Sequence, residues 1–181
     1  MMRILLLLTT VLMLSSCSVT VYGLTDDYKK LTRDRQNRIV PLRSFAETDT
    51  VSVYKINGHQ LREELRKHPK ALVYTFTNGC PSAYCLPMST YEKFAKENGY
   101  RLFLVMEGFG NLNETTKQRS AVFTAPLYAI DAGYYQTKYS WNFSKYFEND
   151  LRGQPRKTKN EWLGSLYFFE NGNLIKVTRD L

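Results

Sequence analysis

The stretch ALVYTFTNGCPSAYC, residues 71–85, decides how this chain is read. Leu72 to Thr77 form an apolar, β-branched run of the kind found in strands covered on both faces. Asn78-Gly79 ends the run with a turn signal. Cys80 and Cys85 follow, five positions apart, and then Met88, Tyr91, Phe94 and Ala95 recur at helical spacing up to Asn98-Gly99. A second apolar run, RLFLVME at 101–107, comes next. Two buried strands flanking one helix predict a βαβ unit, with the cysteines at its first strand-to-helix junction.

Working outward, VSVYKI at 51–56 predicts a strand and HQLREELRKH at 59–68 a helix, with Leu61 and Leu65 on the buried stripe and Pro69 as the stop. Downstream, NETTKQRS at 113–120 predicts a short polar helix or turn, and APLYAID at 125–131 a third core strand. Tyr139, Phe143, Tyr146, Phe147 and Leu151 mark an amphipathic helix stopped by Gly153. The loop RGQPRKTKN at 152–160 holds four basic residues, a solvated face or a lipid-facing patch. SLYFF, then Glu170-Asn171-Gly172-Asn173, then LIKV carries a strong hairpin signature, Asn-Gly between apolar runs.

The N-terminus reads as an address. Arg3 precedes an apolar run from Ile4 to Leu14, eleven residues, against the roughly 20 that span a hydrocarbon core, so a cleaved signal over 1–16 is expected and not a spanning helix. Leu14-Ser15-Ser16-Cys17 resembles the lipobox of bacterial lipoproteins. That resemblance implies acylation of Cys17, palmitate included, and a membrane partner reached through the lipid anchor. The expected location is the bacterial cell envelope, facing the periplasm, with the outer membrane favoured over the inner. Residues 17–50 are expected as a tether carrying a helix over 26–37, either a solvated spacer or a segment packed on the domain, with Thr25 as N-cap and Pro41 beyond its end, and residues 42–50 as linker. The domain proper is expected over 51–181.

Whole-chain charge is +8 from 25 basic and 17 acidic residues, and removing Arg3 with the signal leaves +7. No nucleic-acid partner is expected: an exported protein rarely meets one, and no recognition motif is present. Anionic lipid head groups are the simpler match for the charge. His59 and His68, nine positions apart without a nearby cysteine, have no zinc spacing, and neither metal nor cofactor is expected. Glu107, after a core strand, has two readings: a place at the sheet edge near Cys80, where open α/β sheets bind ligands, or a solvated lone carboxylate, the commoner case.

The order β, α, β, thiol, α, β, short α, β, α, hairpin resembles the thioredoxin-like superfamily, in particular its redoxin branch of peroxiredoxins and membrane-tethered thiol reductases. The likeness spans roughly residues 51–178. It implies an α/β thioredoxin-like fold, a central mixed sheet with flanking helices and a closing hairpin; in departure from the family, no helix is expected after the hairpin. It also implies an attacking Cys80, Thr77 where peroxiredoxins place a threonine, and Cys85 at the spacing of the bacterioferritin-comigratory subgroup. The pattern departs from the family at Gly79 in place of tryptophan, at Gly164 in place of the cis-proline, at Val73 in place of a proline, and at Trp162 and Leu163 in place of an arginine.

Two geometries for the cysteines follow from the residues. With Pro81 at the first helical position, Cys80 is the N-cap and its thiolate is stabilised by the helix end. Cys85 then lies about 7.5 Å along the helix, beyond disulfide reach of about 4.4–6.8 Å. With the helix starting at Pro87 and Leu86 as N-cap, the pair lies in a loop and the bond closes freely. Two functions remain open: thiol-disulfide or peroxide chemistry through Cys80 and Cys85 on an envelope protein or peroxide substrate, or a non-catalytic binding module stapled by a structural disulfide.

Overall fold

The computed structural model describes residues 21–119 and 122–181, so the expected signal segment and Cys17 lie outside the described residues. The described chain is α/β. Seven strands, β1 (Ile39–Pro41), β2 (Val53–Ile56), β3 (Lys70–Phe76), β4 (Arg101–Met106), β5 (Leu127–Ile130), β6 (Leu166–Glu170) and β7 (Asn173–Thr178), form one mixed sheet in the order β1-β2-β5-β4-β3-β6-β7. The first five in that order run parallel, and the β6-β7 hairpin joins antiparallel to β3. Five helices accompany it: α1 (Arg33–Asn37), α2 (Gly58–Leu65), α3 (Met88–Glu97), α4 (Leu112–Thr116) and α5 (Ser140–Arg152).

The two-residue alternation of strands divides the core into two layers. Leu72, Tyr74 and Phe76 of β3 with Leu102, Leu104 and Met106 of β4 face Met88, Tyr91 and Ala95 of α3. Ala71, Val73, Phe103 and Val105 face Leu61 and Leu65 of α2 and Phe143, Phe147 and Leu151 of α5. Burial on both faces explains why these strands read as continuous apolar runs. Local chemistry sets the ends. Asn57 and Gln60 exchange side-chain hydrogen bonds with each other's backbone in a capping box that starts α2. Gly153 ends α5 at φ +69°. Asn171 and Gly172 both hold positive φ in the hairpin turn, as a type I′ turn requires.

Two expectations for the N-terminal part are corrected. In place of one helix over 26–37 the chain makes a 3-10 turn at Tyr28–Lys30, an extended Leu31, and the short α1. The reason is local competition by polar side chains. Asp27 is buried with φ +59°; its carboxylate accepts hydrogen bonds from the Gly23 N–H and the Thr25 hydroxyl and pairs with Lys30 at 2.6 Å. Asp26 accepts the Tyr28 N–H and gives its carbonyl to Phe109 N–H at 2.7 Å. The described part of the tether, left open between a solvated spacer and a packing role, and the stretch 42–50 read as linker are part of the folded body. Ile39–Pro41 adds edge strand β1, Pro41 sits in that strand and not beyond a helix, Leu42 is buried, and Phe45 packs on Phe103 and Tyr128 with ring centroids 5.8 and 5.4 Å apart.

Candidate functional site

Cys80 and Cys85 form a disulfide, with Cα atoms 6.0 Å apart. α3 begins at Met88 with Pro87 as its N-cap, so the later of the two helix starts is the one observed, one residue beyond the expected cap at Leu86. Residues 79–87 are loop, the bond spans no regular element, and neither sulfur sits at the helix end. The loop is held at both ends. Buried Asn78 donates to the Gly108 carbonyl at 2.9 Å and accepts from Thr115 at 2.6 Å, and Gly79 turns the chain at φ +66°. At the far end the Tyr91 hydroxyl donates to the Tyr84 carbonyl and accepts the Leu86 N–H, at 3.4 and 3.3 Å, bracketing Cys85.

Both cysteines are half-buried and line a cleft of about 360 Å³ at the C-terminal ends of the parallel strands. Thr77, exposed at the end of β3, lines it too, so the structure brings together Cys80, Cys85 and Thr77. Glu107, the first residue after β4, forms part of the same wall and borders two neighbouring clefts. Burial, and next the nearby Glu148, push its carboxyl above the usual range, favouring the protonated form. Tyr74 stacks on Tyr91 at 4.1 Å, and burial, then the hydrogen bond with Tyr91, push its hydroxyl far up, so it stays neutral.

Comparison of the chain with protein-family models, curated proteins and solved structures finds no match. The site's own chemistry is a disulfide, a carboxyl whose pKa is raised by burial, a neutral Tyr74 and one cation. The cation is Arg179, which sequence reading missed. Its guanidinium lies 4.5 Å from the Trp162 ring centroid, and both residues line the cleft. Only hairpin register could have revealed it, since Leu166 pairs with Thr178 and the residues flanking that pair meet at the cleft. Gly164, where the resemblance places a cis-proline, has no cis bond; it holds φ +143° against the Thr178 backbone. Its neighbour Ser165 accepts the Thr75 N–H at 3.0 Å, which closes the base of the cleft.

His59 and His68 lie away from this cleft: His59 contacts Asp150 at 3.2 Å and His68 contacts Glu64 at 3.1 Å. Among the described residues no group of three or more His, Cys, Asp and Glu is placed to hold a metal ion, and no helix is long and apolar enough to cross a membrane.

Proposed function

We propose that this chain is a lipid-anchored, thioredoxin-like envelope protein that performs thiol-disulfide exchange through Cys80 and Cys85. The observation that carries the reading is the disulfide itself: half-buried, in a loop, and open to a cleft at the C-terminal edge of a parallel sheet, where α/β proteins bind ligands. The element order from β2 to β7 supports the thioredoxin-like reading, since it follows the series on which the resemblance rests. In the reduced protein the Cys80 thiolate attacks one sulfur of a partner disulfide, forming a mixed disulfide and releasing the other partner sulfur as a thiolate. The Cys85 thiolate then attacks the Cys80 sulfur and expels the second partner sulfur, so the partner gains two electrons and the Cys80–Cys85 bond is restored. A dithiol donor returns the pair to the reduced state. Glu107 lines the same cleft, and burial raises its carboxyl pKa, which suits a group that takes up and returns the proton of the resolving thiol.

One observation favours a second reading, a binding module with a structural staple: α3 starts eight residues after Cys80, so the attacking sulfur is not seated at a helix N-terminus, the placement that activates a thiol. Alkylation of the purified protein across glutathione and dithiothreitol buffers separates the two. A midpoint above about −300 mV is expected for an exchanging pair. A midpoint well below that value, or insulin reduction by Cys80→Ser as fast as by the unaltered protein, would sink the exchange reading.

A further inference from the structure

We infer that the sheet edge carrying the disulfide lies against the bilayer, seated by a patch of Tyr22, Leu24, Tyr139 and Trp141 on anionic lipid head groups. The inference rests on the reading of Cys17 as the acylated residue, and it adds which face of the folded body meets the membrane. Three observations carry it.

The first is the reach of the chain. Cys17 stands four positions before Val21, and extended chain covers at most about 3.6 Å per residue, so the attachment point of the acyl chains lies within about 15 Å of Val21 wherever residues 18–20 run. The second is where that segment docks. The Leu24 carbonyl accepts the Ser140 N–H at 3.0 Å, the Gly23 carbonyl accepts the Ser140 hydroxyl, and the Asp26 carbonyl accepts the Phe109 N–H at 2.7 Å. Tyr22 and Gly23 share a cleft with Thr77 and Glu107, the two residues that also line the disulfide cleft. The anchor and the disulfide therefore leave the fold at the same edge, on either side of Thr77 and Glu107.

The third is the chemistry of the surface at that edge. Tyr22, Leu24 and Trp141 are 52%, 51% and 56% exposed, and Tyr139 stacks on Trp141 at 4.6 Å. Tyrosine and tryptophan with an aliphatic neighbour suit the head-group layer, apolar on one end and wet on the other. Cations rim the patch. Lys138 lies over the Tyr139 ring at 5.0 Å, Lys145 shares a cleft with Trp141, and the Lys145 ammonium reaches the Lys157 carbonyl of the basic loop 152–160. Such cations are attracted to anionic lipid head groups within a Debye length of the surface. The partner that exchanges with Cys80 and Cys85 is then one whose cysteines are presented at the membrane surface.

The test uses the mature acylated protein inserted into preformed vesicles of phosphatidylethanolamine and phosphatidylglycerol brominated just below the head group. Trp162→Phe leaves Trp141 as the chain's one tryptophan. A second variant, Trp141→Phe/Trp162→Phe/Glu97→Trp, moves the reporter to the exposed end of α3, which has run back to the opposite edge before β4 begins. The Trp141 reporter is expected to lose most of its emission and the Glu97→Trp reporter to keep its own. Equal quenching of both, or no quenching of Trp141 while the mass of the N-terminal peptide shows acylated Cys17, overturns the orientation and leaves the patch to a protein partner or a second copy. An unacylated Cys17 overturns the anchor reading and the orientation together, which the peptide mass reveals separately.

Discussion

At the scale of single residues, Gly164 and Glu107 carry the most specific consequences. A Cβ on Gly164 would lie 2.1 Å from the carbonyl carbon and oxygen of Thr178, at a φ of +143° that side-chain-bearing residues avoid. Gly164→Ala is expected to destabilise the protein by about 2–5 kcal/mol through strain and overpacking. Urea unfolding measures it, and an unchanged midpoint would refute the close approach. Glu107 binds its proton more tightly folded than unfolded, so the stability it allows is complete below the ordinary carboxylate pKa and is lost as pH rises through the raised one. Glu107→Gln is expected to match the unaltered protein under acid and to exceed it in stability at neutral pH. A pH series of urea midpoints reads this, and a constant gap across the series would argue against it. Arg179 belongs to the same scale. A register shift between Phe168 and Phe169 moves the pairing by one residue, and without it Arg179 would not oppose Ser165 beside Trp162.

Between residues and molecule stands the N-terminal segment. Its charge-rich sequence, DDYKKLTRDRQNR, has near-helical spacing of Tyr28 and Leu31, and both do pack on the core, but from a turn and an extended residue. What spacing cannot reveal is that Asp26 and Asp27 spend their hydrogen bonds on nearby backbone and on the 108–110 loop. With β1, Leu42 and Phe45 in the folded body, a chain shortened to 51–181 loses an edge strand and uncovers Tyr54, Phe103 and Tyr128. Each large side chain uncovered costs about 1.5–3 kcal/mol, a serious share of the roughly 5–15 kcal/mol that holds a domain together. The shortened chain is expected to bind a hydrophobic dye and lose its cooperative thermal transition; retention of a sharp transition at the original temperature would show the segment to be dispensable. The other elements were legible because their periods are simple: α2, α3 and α5 show apolar stripes, and β3 and β4 read as unbroken apolar runs.

Taken as a whole molecule, the disulfide constrains little of the chain. It closes a loop with a sequence separation of 5 and spans no strand or helix. In the chain-entropy account such a short loop is worth about 2 kcal/mol. Reduction is therefore expected to lower the unfolding free energy by about that amount and to leave the denaturant slope unchanged. Collapse of the cooperative transition on reduction would instead assign the bond a global structural role. A bond that opens without disturbing the sheet suits exchange, because the reduced and oxidised forms can share one fold.

Sequence alone determined the βαβ unit, the closing hairpin and the position of Cys80 and Cys85 at a strand end, because apolar periodicity and Asn-Gly turns act within a few residues. It left two helix starts open, Pro81 and Pro87, and tertiary structure decided for the later. Tyr91, fixed by stacking on Tyr74, holds the Tyr84 and Leu86 backbone outside the helix, so the cysteines lie in a loop. The cleft itself is likewise tertiary. Thr77, Glu107, Trp162 and Arg179 come from four separate stretches, and only sheet order and hairpin register bring them around the disulfide.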